Sequence, residues 1–483
     1  NQPDMTINDL LPLYLEDENT RTILAYIETI PDPGRFVRVL TEVASRKPVI
    51  IVKAGATEAG AAAALSHTGS LAGKSRIASA LLERTGAIVV QNLEEAFLLA
   101  SALSTQPRVA GNRVAVVNNA GGPGTLVADE LSRRGFSLPA LPEATRLRLA
   151  QELLPQASTG NPLDLVATAR PEHYLAAARA VAKSGGYDAI AVVVVPPAGV
   201  DTGAAAEAMI PALKSSGLPV VTCFFGPTMG DGGRSVMQRE GFPSFPFPEQ
   251  TASVLSLMRG GAAGRAASPF IPRATSLERR AELRRKVAAL PAGFLPPNLC
   301  EEILLSYGFP LPHSFFMTSP DDAAPPEARY PMVAKIDHPE VLHKSDAGGV
   351  VLGILDRESL GERVHDLLSR FPGACGVLVQ EQVPGGFELI LGADSDPLLG
   401  HAVLVGRGGT DVEVYSDVAL GHVPFSRDDG LRLLERLKCL PILRGHRGRP
   451  GVDLEQLSAL MEKLQRLLLD LPEIEEMDLN PLI

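Results

Sequence analysis

Apolar positions along the chain switch between two periods, and the switches mark out elements. Arg21–Ile30 (RTILAYIETI) reads as a strand, and Gly34–Arg46 spaces its apolar residues as an amphipathic helix. Lys47–Lys53 (KPVIIVK) is a β-branched run of the kind found in central strands. A Gly-, Ser- and Thr-rich turn follows, then a helix through about Arg84, a short strand at Ala87–Gln91 and a helix at Asn92–Ser104. Arg113–Asn118 is a strand that runs into Gly121-Gly122-Pro123-Gly124 and a helix at about Thr125–Arg134. A second unit starts near Asn161, carries strands at Asp188–Val195 and Leu218–Phe225, and ends near Gly260. Strands alternating with helices imply parallel sheets covered on both faces.

The character changes after Gly260. Residues 260–293 hold GGAAGRAASP, the charged run LERRAELRRK and LPAG, which reads as a linker with a solvated surface helix. Beyond it come a helix at Leu299–Tyr307, a strand at Pro331–Ile336, a helix near Leu360–Arg370 and a strand at Gly376–Gln380. Strands at Phe387–Gly392, Ala402–Val405 and Val412–Val414 follow at hairpin spacing, so the third region reads as α+β.

Composition narrows the function. The 483 residues are 45% hydrophobic and 21% charged, ordinary for a globular chain of about three domains. A net charge of −11 argues against a nucleic-acid surface. No apolar run reaches the roughly 18 residues of a membrane span, and no signal peptide is evident, so a cytoplasmic protein without membrane contact is expected. Cys223, Cys300, Cys375 and Cys439 are scattered without metal-ligand spacing and read as free buried thiols of a reducing compartment.

Three segments carry chemistry. Ser66-His67-Thr68-Gly69-Ser70 lies between a strand and a helix, where free amides and a helix dipole meet anions. An imidazole there could attack a phosphoryl group. On spacing alone, a turn histidine bonded to backbone is the favoured reading. Asn118, Gly121, Gly122 and Gly124 form a second such turn, for which close packing is an equally good explanation; two in one sheet point to an anion at a switch point. In the third region Lys335 on a strand is followed by His343-Lys344-Ser345-Asp346-Ala347-Gly348-Gly349. Glu381, Glu388, Glu413, Asp478 and Asn480 come later. A lysine, a glycine-bearing loop and late oxygen ligands are the needs of a magnesium–nucleotide site.

LSHTGSLAG with NNAGGPG resembles the ligase region of ADP-forming acetate–CoA ligases, relatives of succinyl-CoA synthetase. PMVAKIDHPEVLHKSDAGGV, VLVQEQVPGGFELILG, VEVYSDVA and EMDLNPL resemble their ATP-grasp domain. The resemblance implies an α/β fold. Two flavodoxin-like (Rossmann-like) parallel-sheet ligase domains at 1–158 and 159–260 are expected, then a linker at 261–293 and an α+β ATP-grasp domain at 294–483. It implies His67 as the phosphorylated histidine, Glu28 as its supporting carboxylate and His343 as a phosphate shuttle, with capping of the loop as that residue's alternative. Ser66, Gly69, Asn118, Gly121, Gly122 and Gly124 should bind phosphate. Lys335 should meet the nucleotide phosphates, Gln380, Glu381 and Val383 the adenine, Glu388 the ribose, and Asp478 and Asn480 Mg2+. ATP or ADP, CoA and a small carboxylic acid are the implied substrates, and a homo-oligomer the implied assembly.

The chain also departs from the family pattern. A CoA-binding domain should precede it and the family's sequence continues past Ile483, so a fragment is expected. Gly421 stands near where an arginine is usual. A second reading, a catalytically silent ligand-sensing module like that of some protein lysine acetyltransferases, would be favoured by loss of the histidines; His67 and His343 are both present.

Overall fold

The computed structural model describes residues 5–55, 74–196, 201–260 and 276–483, apart from 323, 327, 342, 343, 345, 346, 384, 410–416 and 449. The chain forms two compact units, Asn1–Ala266 and Ala267–Ile483.

The first unit holds two parallel sheets. Strands β1 (Ile23–Ile27), β2 (Val49–Lys53) and β3 (Ile88–Val90) lie in the order β1-β2-β3. Strands β4 (Val114–Asn118), β5 (Leu163–Asp164), β6 (Ala189–Val194), β7 (Val220–Phe224) and β8 (Ser244–Phe245) lie in the order β5-β4-β6-β7-β8. Every residue of β6 is buried, because helices cover both faces; that is why AIAVVV is unbroken by polar residues. One face, with Ala115, Val117, Ile190 and Val192, packs on Tyr174, Ala177 and Met209. The other, with Val114, Val116, Ala191 and Val193, shares a core with Leu99, Val127 and Leu255 and with Ile50, Val52 and Ile88 of the first sheet.

This pairing corrects the expected division at 158. β4 sits inside the second sheet, hydrogen-bonded to both β5 and β6, so that sheet starts at Val114. Alternation along a sequence shows where strands are, but not which strands pair.

The second unit is built on two antiparallel sheets. Strands β9 (Ser314–Met317), β10 (Met332–Asp337), β11 (Val350–Ile354) and β12 (Gly376–Glu381) lie in the order β11-β10-β12-β9. Leu360, Val364 and Leu367 of the helix Arg357–Arg370 pack on Ala334, Ile336, Val377 and Val379. Strands β13 (Leu389–Asp396), β14 (Gly400–Arg407), β15 (Val418–His422) and β16 (Glu476–Leu482) lie in the order β15-β14-β13-β16. Their Leu391, Val403 and Val405 pack on Met461, Leu464 and Leu468 of the helix Leu454–Asp470. The strand expected at 412–414, with Glu413, lies outside the described residues.

The expected linker is also shorter than 261–293. The helix Leu277–Ala288 belongs to the second unit and buries Leu283 completely in its core. Its charges are paired rather than merely solvated. Arg284 bonds Glu473, Arg280 lies 3.5 Å from Asp470, and Lys286 lies 2.5 Å from Glu302. Residues 261–275 lie outside the described residues. All four cysteines are free, but only Cys223 and Cys439 are buried; Cys375 is exposed. Among the described residues no helix is long and apolar enough to cross a membrane.

Candidate functional site

In the second sheet the chain leaves β4 for β5 on one side and returns to β6 on the other. Successive connections therefore part at the carboxyl ends of β4 and β6, the crevice where open α/β sheets hold ligands. The helix after β4 starts at Gly121, not at Thr125 as expected. Glycine and proline read as a turn, yet in a first helical turn proline loses no hydrogen bond. Asn118 is buried, and its Nδ2 donates to the carbonyl of Ala120 at 2.9 Å. A Cβ on Gly124 would lie 2.6 Å from that amide. Asn118 and Gly124 thus shape the turn from inside, whereas Gly121 and Gly122 are exposed at its outer side.

Asn119, fully buried, donates to the carbonyl of Val195 at 2.9 Å and accepts from its N–H at 2.7 Å. This closes the ends of β4 and β6 together. Asp164, ending β5, brings a carboxylate oxygen to 3.6 Å from a Cβ placed on Gly121, and its other oxygen accepts the N–H of Val166 at 3.0 Å. Val166 is held at φ 62°, a left-handed conformation costly for a β-branched residue. Sequence reading missed Asn119 and Asp164; the one signal for Asn119 is the doubled asparagine after a buried strand.

At the carboxyl edge of the first sheet, Glu28 follows β1 and Lys53 ends β2. The Lys53 ammonium donates to the carbonyls of Glu28 at 2.8 Å and Ala54 at 2.5 Å. Partial burial lowers its pKa, and the Glu28 charge opposes that shift. Ser66, His67 and Gly69 lie outside the described residues.

In the second unit, β10 turns Met332, Ala334 and Ile336 to the core, so Lys335 and Asp337 share the opposite face. Gln380, whose neighbour Val379 faces the core, lies on that face too and pairs with Val333. Burial first, and then repulsion from Lys344, pull the Lys335 pKa down. Among the described residues Lys335 makes no ion pair, while Lys344 lies 3.9 Å from Asp337. A Cβ on Gly349 would meet Ile336 at 2.5 Å, so Gly349 lies directly on the strand. His343 lies outside the described residues.

The backbone N–H groups of Glu381 and Gln382 are already bonded to the carbonyls of His313 and Pro331. Of the expected hinge, Val383 remains outward, 44% exposed. Glu388, Gly409 and Asn480 converge. The N–H of Gly409 donates to Asn480 Oδ1 at 3.1 Å, and a Cβ there would lie 2.6 Å from Glu388. Gly408 donates to the Glu388 carbonyl at 2.8 Å. Asp478 pairs with Gly392, and burial followed by the charge of Glu476 raises its pKa. The side chains of Glu388, Asp478 and Asn480 carry oxygen ligands, which suit Mg2+. Sequence reading named Lys344 in the loop without a role of its own and overlooked Lys53 and the pair Gly408-Gly409; the doubled glycine after β14 was a signal available for the last.

Residues 1–103 match the family model described as a succinyl-CoA ligase like flavodoxin domain, and residues 289–483 match an ATP-grasp domain. The ADP-forming acetate–CoA ligase I of Archaeoglobus fulgidus is 32% identical over 98% of this chain and 69% of its own length. The chain belongs to the ADP-forming acyl-CoA synthetases. The 4-hydroxybutyrate–CoA ligase of Nitrosopumilus maritimus, also ADP-forming, is 29% identical over 100% of this chain and 71% of its own length. The structure of the Ca. Korarchaeum cryptofilum dinucleotide forming acetyl-coenzyme A synthetase 1 in complex with phosphate and ADP is similar, with a TM-score of 0.51 and 32% identity. It covers 54% of this chain and 57% of that one.

Membership in the ADP-forming acyl-CoA synthetases leaves the lysine acetyltransferase reading without support, since these relatives are named as ligases. It also gives Gly421 a different meaning. Gly421 pairs with Val403 on the core face of β15, and a Cβ there would lie 2.5 Å from Leu433 and 2.8 Å from Phe425. A side chain at 421 would enter the core rather than a phosphate site. An arginine serving nucleotide would have to stand on the other face of β15.

Proposed function

We propose that this ADP-forming acyl-CoA synthetase interconverts acyl-CoA, ADP and phosphate with a small carboxylic acid, CoA and ATP. Phosphate displaces CoA to give an acyl phosphate, His67 takes the phosphoryl group, and ADP receives it, so one hard step becomes easier ones. Glu28 steadies the imidazole of His67, and the exposed amides of Gly121 and Gly122 face the anion at the switch point. His343 shuttles the phosphoryl group. Asn118 and Gly124 act by shaping the turn rather than by touching ligand. Lys335 and Lys344 meet the nucleotide phosphates, Val383 borders the adenine and Glu388 the ribose. Asp478 and Asn480 would hold Mg2+, whose charge would offset that of the phosphates.

The observation that carries the nucleotide half is Lys335. A partly buried ammonium without an ion pair among the described residues, facing a second ammonium, is costly unless a polyanion joins it. The test is incubation of the purified full-length protein with labelled Mg-ATP. An acid-labile, base-stable phosphate on the wild type and none on His67→Asn is expected. Equal labelling of the variant would remove His67 from the reaction.

A further inference from the structure

The row of bonds across the carboxyl edge of the second sheet does not stop at the switch point. Asn119 ties the end of β4 to Val195, just after β6. The N–H of Phe225, just after β7, donates to the carbonyl of Val194 at 2.8 Å. The N–H of Gly226 donates to the carbonyl of Pro246, just after β8, at 3.0 Å. Phe225 therefore stands one strand spacing, about 5 Å, from the end of β6. Its loop is pinned from within. The buried Arg234 guanidinium donates to the carbonyls of Phe224 at 2.8 Å, Gly226 at 3.1 Å and Pro227 at 2.8 Å, and bonds the Asp231 carboxylate. On this fixed loop Phe225 is 38% exposed. It meets Phe247, 45% exposed, edge to face with ring centroids 6.4 Å apart. Two neighbouring aromatic rings left in water beside a ligand crevice form an apolar wall rather than a core contact.

We infer that Phe225, with Phe247 behind it, is the specificity-determining wall of the acyl site, and that the acid it takes carries an apolar tail. This rests on the reading that the acyl phosphate forms at the switch point, with its anionic head at the amides of Gly121 and Gly122. The methyl of acetate reaches about 1.5 Å from the carbonyl carbon, too short to touch a ring one strand away. A chain of about four carbons beyond the carboxyl, or a phenyl ring, spans about 5 Å and would lie on Phe225. The carbonyls of Gly226 and Pro227 are taken by Arg234, so the loop offers such a tail rings rather than hydrogen bonds.

The experiment measures kcat/KM of the full-length protein for acetate, pentanoate and phenylacetate in the acyl-CoA-forming direction. The wild type should prefer pentanoate and phenylacetate to acetate by about tenfold or more, the range of discrimination an apolar pocket supplies. Phe225→Ala should shrink that preference by about tenfold, and Phe225→Leu, which keeps an apolar side chain, should restore most of it. Phe247→Ala should shrink it in the same direction. A packing role for the rings, or cover by another part of the protein, would lower kcat/KM for the three acids together and leave their ratio unchanged. A wild-type preference for acetate, or an unchanged ratio in Phe225→Ala, overturns the inference. Saturation-transfer NMR with phenylacetate supplies a readout without turnover. Its ring protons should be saturated from the wild type and much less from Phe225→Ala; equal saturation, or none from the wild type, also overturns the inference. Ligation of no acid at all, with that difference in saturation still present, overturns only the reading beneath it.

Discussion

Gly124 and Gly421 show how much a missing side chain can specify. A methyl at 124 would collide with the Asn118 amide, which is buried and bonded to the turn it shapes. Gly124→Ala should therefore cost about 1–3 kcal/mol in urea unfolding, while Gly122→Ala, with nothing within 4 Å of its Cβ, should cost almost nothing. Equal effects would mean that the turn does not depend on Asn118. Gly421→Arg should lose folded protein rather than improve phosphate binding, because its side chain would enter between Leu433 and Phe425; soluble yield and Tm report this. Lys335 gives a pH prediction. Its folded pKa lies below the ordinary lysine value, through burial and then Lys344, so the folded protein binds fewer protons than the unfolded one between those two values. Stability without nucleotide should rise as pH climbs through that window. Nucleotide affinity should fall there, since phosphate prefers the charged lysine. Calorimetric titration of ADP should show the decline beginning below the pH of an ordinary lysine. Lys344→Met should move its midpoint upward while weakening binding overall. A midpoint unmoved in that variant would show that the two lysines do not interact.

At the scale of elements, burial was legible and pairing was not. The β-branched runs VIIV, VAVV and AIAVVV announced β2, β4 and β6, because strands covered on both faces have no polar positions to confuse the reading. The sheet each joins depends on contacts far apart in sequence, so β4 was placed in the wrong domain. The helix Leu277–Ala288 was misread for a different reason. Ten residues rich in arginine and glutamate look solvated, and only the single leucine at 283 shows where the helix docks. Leu283→Ala should destabilise the second unit by about 2–5 kcal/mol. Arg284→Ala, which removes a largely exposed ion pair with Glu473, should cost about 1 kcal/mol or less. Unfolding followed by CD would separate the two, and a neutral Leu283→Ala would return the helix to the linker. The candidate site divides in the same way. Lys335, Glu388 and Asn480 could be proposed from their order along the chain. Lys53 could not, because the Glu28 carbonyl it bonds is brought to it only by the pairing of β1 with β2.

At the scale of the whole molecule, Lys335 lies in one compact unit and the switch point in the other. A phosphoryl group passes between groups only within bonding distance, and the proposed shuttle His343 is tested on that ground. In His343→Ala, labelling of His67 from acyl-CoA and phosphate should persist, while labelling from ATP should be lost. ATP labelling at the normal rate would exclude His343 as the carrier. The choice of acid belongs to this scale too, and Asn119 bears on it. Because its amide bonds both polar groups of Val195, one side chain ties together the carboxyl ends of the paired strands β4 and β6. A crevice stitched shut at its base cannot be widened to admit a bulkier substrate. Within such a frame, enzymes handling acetate and those handling larger acids would share the same floor and differ in the height of the walls, which are made by the connections beyond the strands. Diversification of substrate then proceeds by trimming or building loops, and the stitch itself becomes the part of the site least free to vary.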